Sequence, residues 1–135
     1  MNKFRFQWKK NILISFLLIV YSSGTNAELQ TTIIKSCYDG DTCTTSRGEK
    51  IRLACIDTPE LKGKKADPIA AKEARDFLNK LVINKEVSIR RITKDRYGRT
   101  VAELFKNNIN IQKLLVDKGY GQIYKKYSNQ CEWSK

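Results

Sequence analysis

The chain contains no histidine. That excludes hydrolysis by an imidazole acid–base and zinc centres built on histidine, and leaves carboxylates, arginines and a metal ion to carry any such chemistry. No Cys-x-x-Cys pair suggests a zinc knuckle or a redox dithiol, and nothing repeats internally. The longest apolar run, Ile12 to Tyr21, has ten residues of which only Ser15 and Tyr21 are polar. A bilayer crossing needs about twice that length. Acidic residues are scarce, 14 against 26 basic ones, so an anionic partner is expected. Proline occurs only as Pro59 and Pro68, and each falls where a strand or helix pattern changes. With 135 residues, 41% hydrophobic and 30% charged, the chain fits one ordinary domain.

The basic start, Lys3, Arg5, Lys9 and Lys10, followed by the short apolar run and the small residues Gly24 to Ala27, has the layout of a secretory leader cleaved after Ala27. The domain is then residues 28–135, and export to a periplasm or the exterior is expected, with anchoring by an uncleaved leader as the alternative. The leader holds four basic and no acidic residues, so the remainder carries a net charge of +8. A positive field of that size favours capture of nucleic acid, although a solvated basic face is the plainer reading of composition alone. Cys37, Cys43, Cys55 and Cys131 all follow the leader. Four cysteines in an oxidising destination allow three pairings, and Cys43 and Cys55 read equally well as small core residues.

Leu29 to Cys37 reads as a strand ended by the Asp39-Gly40-Asp41 turn, and Thr42 to Thr45 as a second. A third, Lys50 to Ile56, alternates Ile51, Leu53 and Cys55 with Arg52 and Ala54, which puts Arg52 on the opposite face from Leu53. Leu61 to Ala66, with three lysines and Gly63, reads as a mobile basic loop. Asp67-Pro68 then starts a helix over 68–82, with Ala74, Phe77, Leu78 and Leu81 on its buried stripe. Val87 and Ile89 mark a fourth strand and Val101 to Phe105 a fifth, joined by the Asp95 to Arg99 turn. Asn110 caps a short second helix through Lys118, stopped by Gly119. Five strands and two helices predict an α+β, mainly β, OB-like barrel, a shape whose open face binds oligonucleotides.

The residues that carry chemistry lie in three short segments. Asp39-Gly40-Asp41-Thr42 and Asp57-Thr58-Pro59-Glu60 offer hard oxygen ligands suited to Ca²⁺ or Mg²⁺. Glycine lets the first segment turn sharply, and proline fixes Glu60 relative to Asp57. Taken singly, Asp-Gly is a turn former and Thr-Pro-Glu a strand exit or helix start. Arg52, and Arg99 from Tyr97-Gly98-Arg99, supply planar forks that grip a phosphate, or else pair on the surface with neighbours such as Glu60 or Asp95.

In order and spacing, Asp39-Gly40-Asp41-Thr42, Ile51 to Glu60, Asp95 to Arg99, and Gly119-Tyr120 ahead of Tyr124-Lys125-Lys126-Tyr127 resemble the staphylococcal (micrococcal) nuclease family over residues 29–127. The resemblance implies an OB-fold barrel and a Ca²⁺-dependent nuclease acting on DNA and RNA that leaves 3′-phosphorylated products. It implies Asp41, Asp57 and the Thr58 carbonyl as metal ligands, with Asp39 near the metal but not bound to it. Glu60 matches the general base, and Arg52 and Arg99 match the arginines that contact phosphate. Tyr97 and Tyr127 match positions lining the nucleotide site. Lys125 stands where the family has a first tyrosine, so nucleotide stacking there is expected to be weaker or to be replaced by a phosphate contact. The family's chain continues into a C-terminal helix, whereas this sequence runs to Cys131-Glu132-Trp133 and Lys135, and that helix is expected to be missing. A monomer acting with little sequence preference is expected. A nucleic-acid-binding barrel without catalysis and a disulfide-stapled secreted interaction protein are the alternatives.

Overall fold

A computed structural model describes residues 29–135, and the expected leader, residues 1–27, lies outside them. Eight strand segments and two α-helices follow in order: β1 (Gln30–Cys37), β2 (Thr42–Thr45), β3 (Lys50–Leu53), β4 (Ile56–Asp57), α1 (Pro68–Val82), β5 (Glu86–Lys94), β6 (Thr100–Lys106), β7 (Ile109–Asn110), α2 (Ile111–Asp117) and β8 (Gln122–Ile123). Two short 3₁₀ helices, Lys125–Gln130 and Glu132–Ser134, complete the chain.

The main sheet runs β3-β2-β1-β5-β6-β7, and β3 also pairs with β6 in parallel, Ile51 opposite Thr100 and Leu53 opposite Ala102. That pairing closes β1, β2, β3, β5 and β6 into the expected five-stranded barrel and removes the open edges of those strands. Alternation along the strands puts Ile34, Ile51, Leu53, Val87, Ile89 and Leu104 into the interior, where Leu78 and Val82 of α1 and Ile111 and Leu115 of α2 meet them. Asp67 caps α1 as expected, its Oδ1 accepting from the Ala70 amide at 3.1 Å, and Asn110 caps α2. The fully buried Gln112 fixes α2 to β6: it accepts from the Leu104 amide at 3.1 Å and donates to the Ala102 carbonyl at 3.0 Å.

Two expectations are corrected. The third strand does not run through to Ile56: it stops at Leu53, turns at Ala54 and Cys55, where φ is 67°, and resumes as β4. The turn lets the Ala54 amide donate to Ala102 at 2.8 Å and aims β4 toward β8, with Asp57 opposite Gln122. Gly40 is required by packing and not by a left-handed turn. An added Cβ would lie 2.8 Å from Ala74 Cβ and 3.0 Å from Thr58 Cβ. Of the alternatives left open for the cysteines both hold: Cys43 and Cys55 are buried core residues and are paired, in disulfides Cys37–Cys43 and Cys55–Cys131.

The second disulfide ties the 3₁₀ segment to the barrel. Trp133 Nε1 donates to Oε1 of the buried Glu103 at 2.9 Å, and Arg90, paired with Glu103 at 2.6 Å, also donates to the Gln130 carbonyl at 2.7 Å. Residues 125–134 thus pack on the barrel as two short turns, with no C-terminal α-helix among the described residues.

Candidate active site

Three adjacent strands deliver the charged groups. Thr42 of β2 sits opposite Arg52 of β3, and Arg52 sits opposite Val101 of β6, two residues beyond Arg99. The end of this strand trio therefore gathers Asp41, Arg52 and Arg99, which are far apart in sequence. The Leu53 amide donates to the Asp41 carbonyl at 2.8 Å and locks the acidic loop to β3.

Asp41 is buried. Its Oδ2 accepts from the Thr58 hydroxyl at 2.9 Å and the Thr58 amide at 3.2 Å, and lies 3.2 Å from Arg52 Nη2. The same Nη2 stands 3.9 Å from Asp57 Oδ1, so both carboxylates converge on one cationic nitrogen. Burial pushes the Asp41 carboxyl up to about 6, with neighbouring Asp39 adding to the rise and Arg52 opposing it. Asp39 stands behind Asp41, its Oδ1 accepting from the Asp41 amide at 3.0 Å.

Arg52 is itself held, donating to the Leu53 carbonyl at 2.6 Å and the Ile56 carbonyl at 2.9 Å. Arg99 donates through Nε to Asp95 at 2.7 Å and through Nη1 to the Thr42 hydroxyl at 3.3 Å. The surface pairing with Asp95 is thus present, and it aims Arg99 toward Thr42, whose hydroxyl in turn donates to Asp41 Oδ1 at 3.2 Å. Burial works against ionisation of Asp95, but the Arg99 side chain and the Arg99 and Tyr97 amides outweigh it and hold the carboxyl below its usual range. Tyr97, 68% exposed, lies under both the Arg96 and Arg99 guanidinium groups, with centroid distances of 4.8 and 5.5 Å.

Glu60 is exposed and stands on the rim of a cleft of about 780 Å³, lined by Asp57, Thr58, Lys64, Lys65, Tyr120 and Gln122 among others. Lys125 and Tyr127 are exposed on the first 3₁₀ helix. Their segment meets the acidic strand at Cys55, whose carbonyl accepts from the Tyr124 amide at 2.8 Å and whose Sγ lies 3.4 Å from the Tyr127 carbonyl oxygen, and through β8, which pairs with β4. Asp39, Asp41, Arg52, Asp57, Thr58 and Arg99 are therefore brought together and Glu60 borders them, while no hydrogen bond or ion pair among the described residues joins the Lys125 or Tyr127 side chain to the cluster.

The donor set fits a hard divalent cation. Two carboxylates meet at a point where positive charge already stands, the Arg52 nitrogen, and every candidate ligand is oxygen. Among the described residues no group of three acidic, cysteine or histidine side chains is arranged to hold a metal ion by itself, so a cation would complete its shell with backbone oxygen and water.

Sequence reading assigned the Thr58 carbonyl but missed its amide and hydroxyl, which orient Asp41, and missed Thr42 as the link from Asp41 to Arg99. Each sits beside a flagged acid, yet nothing in the spacing tells which way a threonine hydroxyl turns. Gly121 was also missed: an added Cβ would lie 3.0 Å from the Asp57 carbonyl, so this glycine admits the 119–122 segment against the acidic strand.

A family profile described as staphylococcal nuclease homologue matches residues 50–135, from β3 onward, which leaves Asp39 and Asp41 outside the matched span. An uncharacterized endonuclease of Haemophilus influenzae is 34% identical over 126 residues, covering 89% of this chain and 68% of that protein. A staphylococcal-like nuclease of Arabidopsis thaliana is 36% identical over 86 residues, covering 64% of this chain and 25% of that protein. A probable staphylococcal-like nuclease of Oryza sativa subsp. japonica is 33% identical over 102 residues, 76% of this chain and 26% of its own length. The chain thus spans about a quarter of these plant relatives.

Proposed function

Because the chain belongs to the staphylococcal nuclease family, we propose that it is an exported, Ca²⁺-dependent phosphodiesterase that hydrolyses DNA and RNA with little sequence preference and leaves 3′-phosphorylated products. The observation that carries the reading is the meeting of Asp41 and Asp57 at Arg52 Nη2, with Arg99 tied to the same corner through Thr42. Export is supported by two disulfides, which persist in oxidising compartments.

A phosphodiester resists attack because its own anion repels the nucleophile, and its equatorial oxygens gain charge on the way to the transition state. Asp41, Asp57 and the Thr58 carbonyl would hold Ca²⁺, which would supply positive charge against those oxygens. A guanidinium has five N–H donors, and carbonyls take two from Arg52, so it retains donors for phosphate while its direction stays fixed. Arg99 does the same from the turn before β6, with Asp95 as its brace. Glu60, without an ion pair among the described residues and lining the cleft, orients water for in-line attack on phosphorus and accepts its proton, while the bond to the 5′ oxygen breaks and that oxygen takes a proton from solvent to leave as the 5′-hydroxyl. Tyr97 stacks beside Arg99 at the nucleotide, while Lys125 and Tyr127 serve a neighbouring phosphate and base from the 3₁₀ segment.

The test is hydrolysis of single- and double-stranded DNA and of RNA by the purified chain with Ca²⁺ or with excess chelator. Turnover is expected only with Ca²⁺, leaving salt-sensitive binding in chelator. Undiminished hydrolysis in chelator refutes the metal assignment, and binding without hydrolysis in Ca²⁺ favours a non-catalytic barrel.

A further inference from the structure

We propose, resting on the phosphodiesterase reading above, that the two disulfides are positioning groups for the active site, so that the enzyme is assembled for catalysis only after oxidation. Each bridge lies at one of the two acid-bearing segments. Cys37 and Cys43 face each other across β1 and β2 and bracket the Asp39-Gly40-Asp41 loop. Inside that closed loop the Asp41 amide already bonds back to Asp39, and the Tyr38 amide donates to the Thr42 carbonyl at 2.8 Å. The covalent tie limits how far Asp41 can swing from Thr58 and Arg52.

Cys55 does the corresponding work for the second segment. It lies between Leu53 and Ile56, whose carbonyls hold the Arg52 guanidinium, so the turn at Cys55 sets the spacing of that pair. Its φ of 67° is unusual for a side chain of this kind. The other described non-glycine residues with positive φ are asparagines 84, 107 and 108, which accept that region readily. The cysteine backbone is held from outside, by the bond to Cys131 and by the Tyr124 amide on its carbonyl. Cys131 is anchored in turn, between Gln130 on Arg90 and Trp133 on Glu103. Reduction leaves the barrel core in place but frees both acid-bearing segments.

The chemistry balances by thiol–disulfide exchange. Each pair of cysteine thiols gives two protons and two electrons to an incoming protein or small-molecule disulfide, one S–S bond forms as another breaks, and the oxidant leaves as two thiols. In a reducing cytosol the exchange runs the other way. A chain still carrying four thiols would hold a slack site beside the nucleic acid of the cell that makes it, and would become active on reaching an oxidising compartment.

The experiment compares the purified oxidised chain, the same chain reduced by a dithiol, and the variants C37A/C43A and C55A/C131A. Four readouts are taken: circular dichroism for the fold, DNA hydrolysis against Ca²⁺ concentration, KM for DNA, and hydrogen exchange at the Asp41 and Thr58 amides in the absence of Ca²⁺. For C37A/C43A the fold is retained, while half-saturating Ca²⁺ and Asp41 amide exchange both rise by about tenfold or more. For C55A/C131A, kcat falls about tenfold or more at saturating Ca²⁺ with KM little changed. The reduced wild type shows both effects, and reoxidation restores it. A purely structural bridge would lower the melting temperature and leave kcat, Ca²⁺ response and exchange alone. Folded variants within about twofold of the oxidised chain on these three measures overturn the proposal. If C55A/C131A does not fold, C37A/C43A decides, because it opens a separation of only 6 residues where the other opens 76. An oxidised chain that does not hydrolyse DNA in Ca²⁺ overturns the phosphodiesterase reading itself, and this proposal with it.

Discussion

Replacing Gly40 by alanine tests whether the acidic loop is held by close packing. The new methyl carbon would start 2.8 Å from Ala74 Cβ and 3.0 Å from Thr58 Cβ and Cγ2. Ordinary carbon contacts sit at about 3.5–4.0 Å, so roughly 0.5–1 Å of separation must be found. Ala74 and Thr58 Cβ atoms are fixed to their backbones, and no rotamer change can supply it. The loop must lift away from α1 or Thr58 must retreat. Thr58 holds Asp41 through bonds of 2.9 and 3.2 Å, so either movement detaches the carboxylate from its brace. Overpacking of this kind costs about 1–3 kcal/mol, and each kcal/mol lowers Tm by roughly 4–8 °C in a domain near 100 residues.

Gly48→Ala is the matched control. Gly48 has φ of +84° but open space around its missing side chain, so alanine there costs about 1–2 kcal/mol through backbone strain, far from the acids. Thermal melts and hydrolysis rates, measured well below both midpoints in saturating Ca²⁺, separate the two. Both variants lose stability, while only Gly40→Ala loses kcat, by about tenfold or more. A Gly40→Ala protein that melts with the wild type and retains its kcat would refute the claim that steric approach at this loop positions Asp41.

Glu60→Gln should lose most of its turnover with little loss of DNA binding, and Arg99→Lys should not be conservative, because a lysine cannot hold Asp95 and Thr42 together and still offer a fork; steady-state kinetics beside binding isotherms check both. The bond from Arg91 holds the Glu49 carboxyl down at about 2, against burial. A depressed acid stabilises fully above its unfolded value near 4.5 and loses that contribution as pH falls toward 2, so the Tm gap between wild type and Glu49→Gln should be constant at neutral pH and close over that window. Half-exposed partners are screened, so the gap should correspond to about 1 kcal/mol or less, and a gap that persists at pH 2 would contradict the assignment. Trp133→Phe removes the indole donor from buried Glu103 and should destabilise by about 1.5–3 kcal/mol in denaturant titrations, with an unchanged midpoint showing that the 3₁₀ segment is not anchored there.

The parts legible in the sequence were those fixed by local periodicity and capping. Asp67-Pro68 announced α1, Asn110 announced α2, and alternation located the strands of the barrel to within a few residues. Long-range choices were not legible. The parallel pairing of β3 with β6 closes the barrel across 49 residues of sequence, and nothing local in either strand names its partner. The segment at Ala54 and Cys55 reads as continued alternation, with Cys55 on the Leu53 face and Ala54 on the Arg52 face, whereas both are buried because the chain turns there. Of the site, the acids and arginines were visible because their spacing is distinctive. Thr42 and Gly121 were not singled out, since a strand threonine and a loop glycine have common structural uses. Glu103 was invisible as an anchor: a glutamate in a strand reads as solvent-facing until Trp133, Asn110 and Arg90 are found around it.

Stability and site geometry rest on different residues, which follows from where the acids sit. A two-residue strand such as β4 cannot support itself, and the Asp39–Asp41 loop has no sheet partner of its own. Their directions come from lateral clamps: Thr58 on Asp41, the Leu53 and Ile56 carbonyls on Arg52, Gly121 against the Asp57 carbonyl, and the two disulfides. The interior, from Ile34 through Leu53 to Leu104 and Leu115, is an apolar cluster whose side chains supply none of the charged groups of the site. Trimming a core side chain therefore lowers the melting temperature while the surviving folded molecules keep their chemistry. Loosening a clamp moves an acid or a guanidinium by a fraction of an ångström, which catalysis registers long before the barrel does.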